Sequence, residues 1–179
     1  MKFKHANDSR VTISELMLPS HSNFSGKIHG GYILSLMDQI AFACASKHSE
    51  TYCVTASVDK VNFLKPIEVG ELVTMKASVN HVGKTSMVVG VRVEAENIQN
   101  GKRKHCNSSY FTMVAKNKDG VSVAVPGLIL KDKTSIRRFV RSISRKEETK
   151  MRFNRFKESE FILEDHMETL KEYAVKVEL

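Results

Sequence analysis

No apolar run in this chain approaches the roughly 20 consecutive residues that a membrane span needs, and Met1–Arg10 is polar and charged rather than signal-like. Cysteine is scarce. Cys44, Cys53 and Cys106 are an odd number at no metal-ligand spacing, which suits reduced thiols in a cytoplasmic protein. The histidines form no H-E-x-x-H pair, and there is no C-x-x-C, no phosphate-cradling G-x-G-x-x-G or G-x-x-x-x-G-K-[ST], and no serine in a G-x-S-x-G turn. Zincin, dinucleotide, P-loop and α/β-hydrolase chemistry therefore find no support, and neither a metal nor a redox cofactor is expected. Internal repeats and low-complexity stretches are also missing.

The 179 residues, 41% hydrophobic and 27% charged, suit one compact domain and exclude general disorder. The net charge of +8 is uneven: residues 1–130 carry +5, residues 131–157 carry +8 and residues 158–179 carry −5. A basic block followed by an acidic one reads as an appended helical tail whose blocks pair with each other or with neighbouring subunits. The same basic helix could adsorb to a membrane surface, although its main expected role is assembly. It has no base-reading motif, so nucleic acid is not an expected partner.

Val11–Leu18 alternates and stops at Pro19, the pattern of a first strand. Residues 20–31 form a polar, glycine-bearing loop. Tyr32–Lys47 is apolar on nearly every side, which predicts a helix buried within the domain. The period then changes to two. Val54, Ala56 and Val58 share a face, Val61 and Phe63 take the other parity, and the slip at Asp59–Lys60 predicts a bulge. Val73–Val79 and Met87–Ala95 alternate as further strands. Asn100-Gly101 signals a tight hairpin into a strand from Arg103 to Lys116, and Asp119-Gly120 turns into a short strand at Val121–Val125. One buried helix followed by long antiparallel strands gives an α+β class, a single sheet wrapped around a central helix. The expected organisation is an N-terminal segment at 1–10, the domain at 11–126, and a helical tail at 127–179. In the tail, Ile136, Phe139, Val140 and Ile143 define one helix, and Leu163, Met167, Leu170 and Ala174 define a second, opened by Ser159.

Asp38 carries the chemistry. A carboxylate amid Met37 and Ile40 in an apolar helix is costly unless partnered, and perturbed carboxylates concentrate at functional sites. Gly30-Gly31 at the helix start offers unpaired N–H groups at the positive end of the dipole, suited to developing negative charge. Asn23, in the same loop as Gly26, can donate or accept, and so orient water or a carbonyl. Gly30 and Asp38 are eight residues apart, roughly 12 Å along a helix. One carbonyl cannot touch both, so joint action requires two subunits with antiparallel helices and an obligate dimer.

The run Asn23-Phe-Ser-Gly26-Lys-Ile-His29-Gly30-Gly31-Tyr-Ile-Leu-Ser-Leu-Met37-Asp38 resembles the N-x-x-G-x-x-x-G-G-x-x-x-x-x-x-D signature of hotdog-fold acyl-CoA thioesterases. It is most similar to the bacterial broad-range acyl-CoA hydrolases and the halves of the mammalian cytosolic enzyme. The likeness continues through Val54-Thr55, Phe63-Leu-Lys-Pro66-Ile67, Val69-Gly70-Glu71, Val82-Gly83-Lys84-Thr85-Ser86-Met87, Phe111-Thr112-Met113-Val114-Ala115 and Val125-Pro126, covering residues 11–126. The resemblance implies a five- or six-stranded sheet around the helix, edge-to-edge dimers, and a hexamer built as a trimer of dimers. It also implies hydrolysis of fatty acyl-CoA to free acid and CoA. Asp38 would be the catalytic carboxylate, as general base or as nucleophile. Asn23 of the facing subunit would position water or the thioester, and the Gly30 and Gly31 N–H groups would polarise the carbonyl. Thr55 and Ser57 would line the pantetheine path, Gly83, Lys84, Thr85 and Ser86 would lie near the nucleotide end, with Lys84 meeting a phosphate, and His29 would also contact substrate or CoA. A non-catalytic acyl-CoA sensor on the same fold is the alternative.

Overall fold

Long alternating strands can bury their apolar faces only against a shared partner, and the apolar helix is that partner. The computed structural model describes residues 2–155, 161–170 and 172–178. Helix α1 spans Gly30–Ser49, two residues longer at each end than the apolar run. His29 caps it at the start, and Glu50, in the left-handed region at φ 62°, closes it. Strands β2 (Val11–Leu16), β4 (Glu71–Val82), β5 (Ser86–Asn97), β6 (Arg103–Lys116) and β3 (Tyr52–Val58) form one antiparallel sheet in the order β2-β4-β5-β6-β3. The sheet curls around α1, giving the hotdog α+β architecture. Val73, Met75, Ala77 and Val79 of β4, and Met87, Val89, Val91, Val93 and Ala95 of β5, all turn inward and are buried against α1. Phe111, Met113 and Ala115 of β6 complete that layer without exposure. Each large buried side chain contributes about 1.5–3 kcal/mol of transfer free energy.

Several local expectations are corrected. The irregularity in β3 lies between Thr55 and Ser57 rather than at Asp59–Lys60. Register pairs Cys53 with Ala115 and Thr55 with Met113, so Thr55, not Val54, shares the parity of the core. The β5–β6 connection is longer than a two-residue turn: Asn97 N–H donates to the Lys102 carbonyl (3.0 Å) and Gly101 N–H to the Asn97 carbonyl (2.8 Å). Val121–Val125 is not a strand. Because β5 begins at Ser86, opposite Val114, only the end of β6 offers a free edge there, and a single bridge forms from Lys116 to Ser122.

The short strand instead is β7 (Gly127–Ile129), which pairs in parallel with β1 (Phe3–His5). Lys2 and Lys4 hold Glu50 at the end of α1, and their hydrogen bonds, reinforced by their charges, keep its carboxyl well down, at about 2. Lys2–His5 are thus tied to the end of α1 and to β7. The chain forms two compact units, Met1–Ser142 and Ile143–Leu179. Helix α2 (Lys133–Arg155) crosses that division. Within the first unit, Phe139 lies on His81 (ring centroids 4.8 Å) and Arg138 donates to Ser78 (3.4 Å), covering the outer side of β4. The second unit holds the rest of α2, a 3-10 turn at Leu163–His166 and the short helix α3 (Met167–Leu170). The second tail helix is therefore much shorter than its apolar spacing suggests, and Ser159 lies outside the described residues.

His48 fastens the end of α1. It is fully buried, with Nε2 donating to the Pro126 carbonyl (3.1 Å) and Nδ1 facing the Ser9 hydroxyl (3.3 Å). Burial disfavours the imidazolium and, despite the Pro126 carbonyl, holds the pKa below its ordinary 6.5. Folding therefore favours the neutral ring. Its stabilisation is complete above pH 6.5 and is lost as pH falls through the lowered folded value. Urea midpoints measured from pH 8 to pH 5 should drop over the acidic half of that range, and His48→Gln should flatten the drop. Parallel curves for the two proteins would contradict this assignment.

Candidate active site

The loop before α1 is a rigid frame rather than a flexible link. Asn23 Oδ1 accepts from Ser25 N–H (2.9 Å), Ser25 Oγ (2.7 Å) and Lys27 N–H (3.2 Å). Gly26, at φ 76°, allows the chain to reverse there, and Asn23 N–H donates to the Lys27 carbonyl (2.7 Å). With its oxygen committed, Asn23 has only its Nδ2 hydrogens left to offer, so it is a donor. Ile28 N–H donates to the Ile67 carbonyl (2.9 Å) and Lys27 pairs with Glu68 (2.6 Å), anchoring the loop to the approach of β4. Tyr32, in the first turn of α1, stacks on His21 (4.0 Å) and donates to Glu15 of β2.

The two glycines at the helix tip are not equivalent. Gly31 N–H donates to His29 Nδ1 (3.0 Å), so that amide is already capped. His29, expected among the substrate-binding groups, is used as the cap. Among the described residues no acceptor faces Gly30 N–H, which leaves it as the donor at the positive end of the helix dipole. The pair of polarising amides expected from the sequence is one free amide and one committed amide.

Asp38 is half-buried, not sunk in the core as the flanking apolar residues suggest. Nor is it unpartnered: Thr55 Oγ1 donates to Asp38 Oδ1 at 2.6 Å. The β3 irregularity immediately after Thr55 helps to aim that hydroxyl at α1, as bulges beside functional sites do. The sequence signal for Thr55 was available in its parity, shared with buried Cys53, but the apolar neighbours Val54 and Ala56 drew attention to the opposite face. Ser57 is exposed beyond the irregularity and makes no bond to Asp38.

The second expected cluster is a tight turn between β4 and β5. Gly83 N–H donates to the Ser86 carbonyl (2.7 Å), while the Lys84 and Thr85 carbonyls accept from Val125 (3.1 Å) and Ala115 (3.0 Å). The backbone is braced and the Lys84 side chain is exposed. The expected site residues therefore fall in two separate places on one chain: Asp38 with Thr55 mid-helix, and Gly30 with the Asn23 loop at the tip, roughly 12 Å away along the axis. Among the described residues, no cluster of three or more His, Cys, Asp or Glu side chains is placed to hold a metal.

Residues 25–102 match the family model for the Thioesterase superfamily. Protein VdlD of Helicobacter pylori is 40% identical over 142 residues, 79% of this chain and 81% of that one. The chain belongs to the hotdog-fold acyl-CoA thioesterases. Among solved members of the family, an apo-hexameric acyl-CoA thioesterase superposes with a TM-score of 0.83 at 35% identity, covering 85% of this chain and 97% of that one. The acyl-CoA hydrolase of Staphylococcus aureus, in complex with butyryl coenzyme A and coenzyme A, gives 0.79 at 30% identity, covering 94% and 99%. That enzyme has also been solved with an Asp, an Asn and a Thr each replaced by alanine.

Proposed function

We propose that the protein hydrolyses the thioester of fatty acyl-CoA, with Asp38 as general base, at a site completed by a second copy of the chain. The Thr55–Asp38 hydrogen bond carries this reading. It fixes one carboxylate oxygen and leaves the other to take a proton from water. The water oxygen bonds to the carbonyl carbon as its proton passes to Asp38. The carbon–sulfur bond then breaks, and the proton returns to the departing CoA thiolate. Gly30 N–H and the Asn23 amide of the facing copy would donate to the carbonyl oxygen as it gains charge. The replaced Asn, Asp and Thr of the Staphylococcus aureus enzyme are separated by the same sequence intervals as Asn23, Asp38 and Thr55, which supports treating these three as one catalytic set.

The second copy is argued from β3. It is an edge strand with an unpaired side, and it carries exposed Tyr52 and Val58, a combination that invites pairing with another strand. Two β3 strands running antiparallel would continue the sheet and set the two α1 helices antiparallel, bringing Gly30 of one copy toward Asp38 of the other. Such dimers could assemble into a trimer of dimers, as the hexameric relative suggests. The exposed Lys84 would meet the phosphates of CoA, with the pantetheine passing Thr55 and Ser57. We place the reaction in the cytoplasm, in keeping with three free, buried cysteines.

Release of free thiol from acyl-CoA of graded chain length, followed with a chromogenic thiol reagent, tests the function. Steady turnover is expected. Saturable acyl-CoA binding without thiol release at any length would favour the sensor instead.

A further inference from the structure

A segment running through the end of β3 leads from Thr55, beside Asp38, to Phe63, beside Gly30. After β3, Asp59 N–H donates to the Tyr110 carbonyl (2.9 Å), Ser109 Oγ donates to the Asp59 carbonyl (3.2 Å), and Leu64 N–H donates to the Cys106 carbonyl (2.9 Å). Pinned to β6 at both ends, the segment sets Phe63 tip-first against Gly30. A methyl group built on Gly30 would lie 3.1 Å from Cζ and 3.5 Å from each Cε of that ring. Gly30 has a helical backbone and is not among the residues with positive φ, so its missing side chain is not a matter of backbone freedom. The ring explains it. Yet Phe63 remains 54% exposed, so the rest of its surface is free to meet something else.

We propose that Phe63 is a positioning residue for the thioester: its ring walls the free Gly30 amide against water and holds the substrate carbonyl on it. This rests on the hydrolase reading above. A hydrogen-bond donor stabilises developing charge far better where water is excluded. The ring edge, which is what faces Gly30, is also the positive part of the aromatic quadrupole and is compatible with an oxyanion nearby.

The test measures kcat and KM separately for thiol release from a short acyl-CoA, with thermal midpoint and oligomeric state recorded for each variant. Phe63→Ala should lower kcat by about tenfold or more, with KM little changed, and Phe63→Leu, which keeps apolar bulk, should recover part of the loss. Phe63→Tyr is normally harmless at a half-exposed position. Here it should also lower kcat, because a hydroxyl on Cζ points at Gly30. Gly30→Ala should be impaired, and adding Phe63→Ala to it should cost less than the two single losses multiplied, since removing the ring makes room for the methyl. Wild-type kcat in Phe63→Ala, a loss confined to KM, or simple multiplication in the double variant would overturn the proposal. Absence of thiol release from the wild type would instead remove the hydrolase reading itself, so the two failures are distinguishable.

Discussion

Asp38→Ala is expected to reduce kcat for acyl-CoA hydrolysis by about 10²–10⁴-fold, the usual worth of a positioned general base. Asp38→Asn should fall as far, because an amide keeps the shape but cannot take the proton from water. Thr55→Ala should cost less, roughly tenfold, since Thr55 orients the carboxylate without accepting a proton itself. KM should move little in all three if substrate is held mainly by CoA contacts elsewhere. The losses should not come from unfolding: Asp38 is half-buried and is held by the Thr55 hydroxyl, so thermal midpoints should stay near wild type. A near-normal kcat in Asp38→Ala would remove the mechanism, whatever the fold.

The gradation from Asp38 to Thr55 mirrors what could and could not be read from one dimension. Helix α1 was legible because Ile33, Met37, Ile40 and Ala41 make it apolar around most of its circumference, with only the narrow stripe of Ser35, Asp38 and Gln39 left polar, and such a segment must be wrapped. The strands were legible because Val73 to Val79 and Met87 to Ala95 alternate without a break. The β1–β7 pairing was not. Three-residue strands more than a hundred positions apart carry no local period, and parallel pairing leaves no hairpin signal between them. Parity misleads in β3 because the irregularity at Ala56 pairs Cys53 and Thr55 with core residues of β6 before it and Val58 after it, whereas Val54, Ala56 and Val58 read as one face.

Within the site, the types of residue were readable and their couplings were not. Asp38, Asn23 and Gly30 stand out by chemistry and spacing. The cap that removes Gly31 from service depends on the rotamer of His29, and the contact that requires a glycine at 30 comes from Phe63, across a chain reversal. Such contacts are properties of the folded surface. The separation along α1, by contrast, follows from residue numbers and helix rise alone. Eight residues of α1 separate Asp38 from Gly30, and no side-chain rotation closes a gap of roughly 12 Å.

That separation makes a second large effect available. Asn23→Ala alone should be strongly impaired, since it removes the donor presented by the rigid turn, and Asp38→Ala alone should be nearly inactive. With a site shared as proposed, each copy would supply Asp38 to one site and Asn23 to the other, so a mixed dimer would carry one site lacking both groups and one site with both intact. With random pairing about half of the dimers are mixed, so the co-expressed pair should regain about a quarter of wild-type turnover. Thiol release by the co-purified Asn23→Ala and Asp38→Ala chains is the most direct measurement of a site shared between two copies. Recovery to that level is the expected result. Turnover no higher than the average of the two single variants, with mixed dimers present, would contradict it.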